Sequence, residues 1–403
     1  MDNYKRYTYG DLEVYHSKSI SDEFTYMLLA VKTGSINDSI GKMGLSHFVE
    51  HMLFEGTENY TKDDMNNGLS IYGINDLNAF TSNDYIAAHA SAYTKNASKL
   101  FDVIFELINQ PNLPESEVEL VKKIVLQEYY MGRDDLSSIL FEDYLKELFY
   151  ENKYTISPIG TENDIKSINI DDIRKYHKKY FNPYQQVLVV RSNLEWKDIK
   201  DIISQYYSER SMNKFYRLPK ATFKLYGDDV TDKVRNFNQA GLIYSVPFNS
   251  KYIYEMGFIN RVLSGGLWSK LVREIREKRG LTYSISSDTE QYGTNNIFSI
   301  YTTFGEKEKL DEIRKVIRDV LKEEITESEL EIAKNEKRIS MLKCNYTICG
   351  YSSTVLYRIL LGRSTDFNED IAGIDNLTID NIESVRRKLR LYEGNFFVLV
   401  PDN

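Results

Sequence analysis

Cysteine and proline are both scarce in this sequence of 403 residues, which holds two of the first and seven of the second. The two thiols, Cys344 and Cys349, lie close together in one segment. That suits neither a disulfide framework nor a four-thiolate metal site, so both read as ordinary residues. So little proline, beside 42% hydrophobic and 28% charged residues, excludes a disordered or fibrous chain and predicts an ordered globular one. No uncharged apolar run approaches the length of a membrane span, and the opening MDNYKRYTYGDLEVYH lacks the apolar core of a secretory signal. A cytoplasmic location without a membrane partner is therefore expected. Positive charge is in deficit too: a formal net charge of -9 argues against a nucleic-acid partner, because binding phosphates needs a positive surface. A glycine-rich phosphate loop is also missing. Gly265 and Gly266 sit between helical stretches without a following Lys-Ser/Thr, so nucleotide chemistry has no support.

The length suits two domains of ordinary size, each able to bury a core. Residues 25–32 (TYMLLAVK) and 185–191 (QQVLVVR) read as strands, whereas 94–108 and 115–131 carry apolar residues at the three- and four-residue spacing of amphipathic helices. The second half repeats this mixture. GLIYSV, YSISSD and FSIYTTF read as strands, residues 252–278 as helix around the glycine pair, 306–361 as long helices, and FFVLV as a closing strand. Residues 206–232 break the periodicity, are dense in charge and read as a linker. The expectation is an α+β protein of two similar domains, 1–215 and 216–403, with the look of a duplication.

Chemistry is concentrated in GLSHFVEHMLFEGT. On a helix His47 and His51, at i and i+4, point the same way one turn apart, the arrangement by which two neighbouring imidazoles hold one zinc ion. Glu50, three residues after His47, lies near the same face and is placed to act as a general base rather than a ligand. Two of the five histidines falling together by chance on a packed helix is the bland alternative. The order His-x-x-Glu-His, an inverted zinc-peptidase motif, outweighs it. A catalytic zinc takes three protein ligands and leaves one position open, so a third ligand must come from elsewhere in the chain.

The chain resembles the pitrilysin/insulysin family of inverted-motif zinc peptidases, which includes the mitochondrial processing peptidase, in its short two-domain form. The resemblance implies a third zinc ligand on a later helix, at Glu128 in KKIVLQEYY. Many members carry a supporting acidic residue two helical turns earlier; Val121 stands there, and Glu117 or Glu119 is the candidate to compensate. YGINDLNAFTSNDYIAAHA matches the family's substrate-binding strand at Asn78, Ala79 and Thr81, while His89 on the next strand matches no metal position and reads as a packed histidine. SGGLWSKLVREIREKRGLTYSISS matches the C-terminal signature. That implies Arg276 binding the substrate backbone and Tyr283 donating its hydroxyl toward the scissile carbonyl. YTISPIGT and YFNPYQQVLVV match as well, although Arg191-Ser192-Asn193 replaces the usual glycine.

The family fold implies an antiparallel sheet packed with helices in each domain, one Zn2+ per chain, and a chamber of four domains. Half a chamber per chain implies a dimer, either with itself or with a homologous subunit, in which Arg276 and Tyr283 of one subunit complete the zinc site of the other. The implied activity is hydrolysis of peptides or unfolded segments. The alternative from another class is a non-catalytic or partner-dependent peptide-binding subunit.

Overall fold

The computed structural model describes residues 4–402 apart from 19–22, 67, 150–152, 212–228, 235, 293, 294 and 347. The chain groups into two compact units. The first comprises residues 1–130, 156–218 and 341–370; the second comprises 131–155, 219–340 and 371–403.

In the first unit six strands form one sheet: β1 (Lys5–Tyr9), β2 (Leu12–Lys18), β3 (Phe24–Val31), β4 (Asn75–Thr81), β5 (Ile86–Tyr93) and β6 (Gln186–Ser192), in the order β1-β2-β6-β3-β5-β4. In the second, β7 (Val230–Val234), β8 (Ala240–Phe248), β9 (Ile285–Tyr292), β10 (Asn295–Phe304) and β11 (Asn395–Pro401) are ordered β7-β11-β8-β10-β9. Setting aside β1, the two orders are the same: first strand, last, second, fourth, third. In both, the first and last strands pair in parallel and the other neighbours antiparallel. The fold is α+β as expected, but the sheets are mixed rather than antiparallel. Each last strand arrives after a long helical excursion, and such a connection can deliver a strand in the parallel sense, which a hairpin cannot.

Other differences are local. The linker expected over 206–232 ends inside β7, and its residues 212–228 lie outside the described part of the chain. The hairpin β1–β2 went unread, although Tyr9-Gly10-Asp11 between alternating runs is a turn signal and Gly10 has a φ of +56°. The helical stretch at 252–278 is two pieces, Ile253–Ser264 and a π-helical turn Val272–Glu277, divided at the glycine pair.

The first core forms where β3, β5 and β6 meet the helices Leu45–Leu53 and Ala97–Asn109. Met27, Leu29, Leu188 and Val190 face Phe48, Val49, Met52, Leu100 and Ile104, all fully buried. Ala88, Ala90 and Ala92 keep β5 thin on that side. The other face of β3 and β6 is covered by the helix Ile348–Leu360, through buried Val355 and Leu356. Central strands closed on both faces explain the unbroken apolar runs MLLAV and VLVV.

The helix Leu45–Leu53 is short, and its start is fixed from outside. Gly44, with a φ of +91°, precedes it and offers no side-chain cap. Asp38 serves instead: its carboxylate, fully buried, accepts hydrogen bonds from Gly44 N (2.8 Å), Ser46 N (3.0 Å) and Ser46 Oγ (3.2 Å). A buried anion at this end satisfies orphan amides and complements the helix dipole. Asp38→Ala is expected to cost about 2 to 4 kcal/mol in urea denaturation, since it strands buried donors; Ser46→Ala should cost about 0.5 to 1.5 kcal/mol. Equal and small losses for both would remove Asp38 from this role.

Candidate metal centre

The apolar residues of Leu45–Leu53 occupy the face toward the sheet, and this orients the helix. Leu45, Phe48, Val49 and Met52 turn inward, leaving His47 and His51 together on the outer face, their Nε2 atoms 3.3 Å apart. The second contributing helix is Val118–Arg133, whose inward stripe runs Val118, Val121, Val125. The next place on that stripe, three residues on, is Glu128. A carboxylate thus stands where one more aliphatic side chain would continue the contact, and its oxygens meet the imidazoles. Glu128 Oε2 is 3.5 Å from His47 Nε2, and Oε1 is 3.5 Å from His51 Nε2.

These separations fit a metal ion. Bonds of about 2.0–2.1 Å in tetrahedral directions place donor atoms roughly 3.3–3.5 Å apart. Among the described residues, His47, His51 and Glu128 form the group of side chains able to hold such an ion. Burial holds the imidazoles neutral, as ligation requires. His47 is pushed down to about 3, first by desolvation and then by its neighbour His51. His51 is lowered by desolvation against the opposing pull of Glu128.

Glu50 lies on the same helix but apart from this group of donors. It is 8% exposed, and its Oε2 accepts a hydrogen bond of 2.5 Å from Thr81 Oγ1. Desolvation raises its carboxyl to about 7, with Glu128 adding to the rise and the Thr81 hydroxyl opposing it. Thr81 ends β4, one of the two edge strands of the sheet, which pairs with β5 alone. On β4, Ala79 is buried toward the helices with Thr81 two residues on, while exposed Asn78 lies opposite His89 on the other face. His89 is packed between Tyr26 and Phe80, a strand histidine remote from the donors.

Neither acidic residue considered as compensation for Val121 takes that place. Glu117 is engaged by Lys62 at 3.1 Å, and Glu119 pairs with Lys122 at a side chain that is 75% exposed. Val121 is itself buried in the core, and His47 Nδ1 is buried with no hydrogen-bond partner among the described residues. The two further residues named from the sequence belong to the second unit. Arg276 lies in the π-helical turn, its guanidinium 5.5 Å from the Tyr283 ring centroid, and Tyr283 is 86% exposed. Sequence reasoning missed Asp38 and the bond from Thr81 to Glu50. An aspartate seven residues before the helix carries no local signal, and the role of Thr81 depends on where the sheet edge falls.

Residues 14–162 match the family profile described as insulinase (peptidase family M16), and residues 167–337 match that of the peptidase M16 inactive domain. The chain is 28% identical over 368 residues, 89% of this chain and 88% of the other, to the uncharacterized zinc protease YmxG of Bacillus subtilis. It is 24% identical over 392 residues to an uncharacterized zinc protease of Streptomyces coelicolor, covering 91% and 83% of the two chains. In fold it is similar to the crystal structure of a protease from Helicobacter pylori, with a TM-score of 0.89 at 19% identity over 100% of both chains. A peptidase M16 inactive domain from Pseudomonas fluorescens gives 0.86 at 17% identity, over 100% of this chain and 98% of that one.

The raised Glu50 carboxyl has a thermodynamic consequence for the metal-free protein. Between its ordinary value of 4.5 and about 7, the folded state holds a proton that the unfolded state releases. Folding stability therefore falls as pH rises through that window and levels off above it. In metal-free protein, Glu50→Gln should remove this fall and be more stable than wild type by on the order of 2 to 3 kcal/mol at pH 8, with little difference at pH 4. Parallel stability curves across pH would contradict the assignment. In zinc titrations, His51→Ala should weaken binding by more than the roughly 10- to 100-fold that loss of an outer-shell partner costs. Undiminished affinity would remove His51 from the donor set.

Proposed function

This chain belongs to peptidase family M16, the insulinase family, and on that footing we propose that it is a zinc-dependent endopeptidase acting on peptides or unfolded segments. The observation that carries this reading is the spacing of His47, His51 and Glu128 at 3.3 to 3.5 Å, with Glu50 beside them and tied to the sheet edge. A zinc ion held by these three groups would supply a Lewis acid that acidifies water and polarises a peptide carbonyl.

Glu50 is the general base. Burial raises its carboxyl in the metal-free protein, and the positive charge of a bound metal would favour the ionised form that accepts a proton. Thr81 Oγ1 holds one carboxylate oxygen and leaves the other for the water it deprotonates. An extended peptide lies along the free edge of β4, taking main-chain hydrogen bonds whatever its side chains, and Asn78 adds its side-chain amide. The bond from Thr81 to Glu50 then sets the distance between the edge and the base. Arg276 binds the peptide backbone, and the exposed Tyr283, stacked under that guanidinium, donates its hydroxyl toward the developing oxyanion.

The active unit is a dimer, of two copies or with a homologous subunit, in which Arg276 and Tyr283 of one subunit serve the zinc site of the other. The second reading, a peptide-binding subunit that does not cleave, is favoured by one feature: among the described residues His47 Nδ1 has no hydrogen-bond partner, and Val121 offers no acceptor. A ligand ring left unbraced binds metal less tightly.

Purified protein should cleave unstructured peptides, as followed by mass spectrometry. Glu50→Gln should keep its zinc and lose about 100- to 10,000-fold in kcat, the usual contribution of a general base. Full activity in Glu50→Gln would sink the mechanism; zinc retained by an inert wild type would favour the second reading. Mixing Glu50→Gln with Arg276→Ala should restore hydrolysis through hybrid dimers. No recovery despite demonstrated subunit exchange would rule out a site shared between subunits.

A further inference from the structure

The turn that carries Arg276 lies between glycines, with Gly265 and Gly266 before it and Gly280, at a φ of +58°, after it. Glycine leaves the backbone free to swing unless something holds it. Leu271 and Ile275, both fully buried, sink one face of this segment into the interior of the second unit. Burial of apolar surface is non-directional, so it fixes how deep the segment lies more than how it is turned. Its orientation falls to hydrogen bonds and ion pairs, which have direction.

Two such contacts come from one side of a single helix, Glu327–Tyr346, where Glu329 and Glu336 stand two turns apart. Glu336 Oε1 accepts a hydrogen bond of 2.7 Å from the Trp268 indole Nε1. Glu329 Oε1 is 3.2 Å from the Nζ of Lys270, a lysine 5% exposed that also meets Glu323 at 3.1 Å. The chain is thus gripped at Trp268 and Lys270, just before the turn opens at Val272. The two grips differ in what else depends on them. Glu329 also caps its own helix, its Oε2 accepting from Thr326 N at 2.9 Å, and removing a partner of the buried Lys270 would unsettle the fold. Glu336, among the described residues, is engaged by Trp268 alone, and its Oε2 is buried without a hydrogen-bond partner. Its carboxylate lies against the glycine pair: a Cβ on Gly265 would come within 3.1 Å of Oε2 and 2.5 Å of Arg261 O.

We propose that Glu336 is a positioning residue for substrate binding: by holding the Trp268 indole it fixes the orientation of the segment between Gly266 and Gly280, and with it the direction in which Arg276 is presented to the peptide backbone. The proposal rests on the reading that Arg276 binds substrate. Glu336 touches neither peptide nor metal and acts only through the segment it holds. Arg276 then meets the peptide already oriented, and binding is spared the entropy of ordering that stretch of chain.

The test is peptide hydrolysis by the full-length, zinc-loaded protein, with amide hydrogen exchange as a readout that needs no activity. Glu336→Leu removes the acceptor, Trp268→Phe removes the donor and keeps a ring, and Glu336→Gln keeps an acceptor. The first two should each raise KM about threefold to tenfold with kcat little changed, the loss expected for one directed hydrogen bond, and should speed exchange of the amides of residues 268–280. Glu336→Gln should stay close to wild type in both measurements. In an Arg276→Ala background Glu336→Leu should add no further loss, because the two changes act through one group. An additive loss, as a general weakening of the fold would give, overturns the proposal, and so does unchanged exchange in Glu336→Leu. If Arg276→Ala cleaves as well as wild type, the reading of Arg276 as a substrate ligand fails, yet faster exchange in Glu336→Leu and not in Glu336→Gln still supports the anchor. If nothing is cleaved, the proposed activity fails, and anisotropy of a labelled peptide reads the same set of variants as Kd, with the same outcomes deciding.

Discussion

Two imidazoles and a carboxylate, polar groups with nitrogen and oxygen atoms 3.3 to 3.5 Å apart, are drawn together from two helices. This meeting depends on the burial of the apolar faces on either side of it. Phe48, Val49 and Met52 lock one helix to the sheet, and Val118, Val121 and Val125 lock the other. Asp38 fixes where the first helix begins. The same burial keeps His47 and His51 neutral and pushes the Glu50 carboxyl up. Packing thus positions the donors and also sets their protonation.

The two units repeat one strand order, yet different chemistry is attached to corresponding places. In the first, the edge strand β4 ends on Thr81 beside Glu50. In the second, the edge strand β9 follows Tyr283 and Arg276, and no group of potential metal donors appears among the described residues. A sheet edge is a general device for holding extended peptide, so one topology suits both a catalytic and a binding role. The difference lies in which side chains the helices and loops next to the edge bring in.

Much of the site was legible because helical spacing is a local property. His47, Glu50 and His51 stand in one turn, and their relation follows from 3.6 residues per turn whatever surrounds them. Arg276 and Tyr283 were named from the likeness of one segment to the family's C-terminal signature, and their exposure and ring contact were not foreseeable from it. Val121 was singled out as a departure, but only packing shows Glu117 taken by Lys62 and Glu119 turned to solvent. The parallel pairs β2–β6 and β7–β11 were illegible, because strands far apart in sequence carry no signal of the sense in which they meet.

By itself the sequence determined the α+β character, the two His ligand candidates with Glu50 between them, and the family likeness, all of which rest on periodicity and short motifs. Tertiary structure alone decided that Glu128 faces both imidazoles, that Thr81 holds Glu50, that Asp38 caps the helix, and that the Tyr93 and Phe24 rings stack. The reason is physical. Each of these contacts joins segments that are distant in the chain or depends on how a turn closes, and its geometry comes from how the apolar faces pack, a property of the whole core rather than of any one segment.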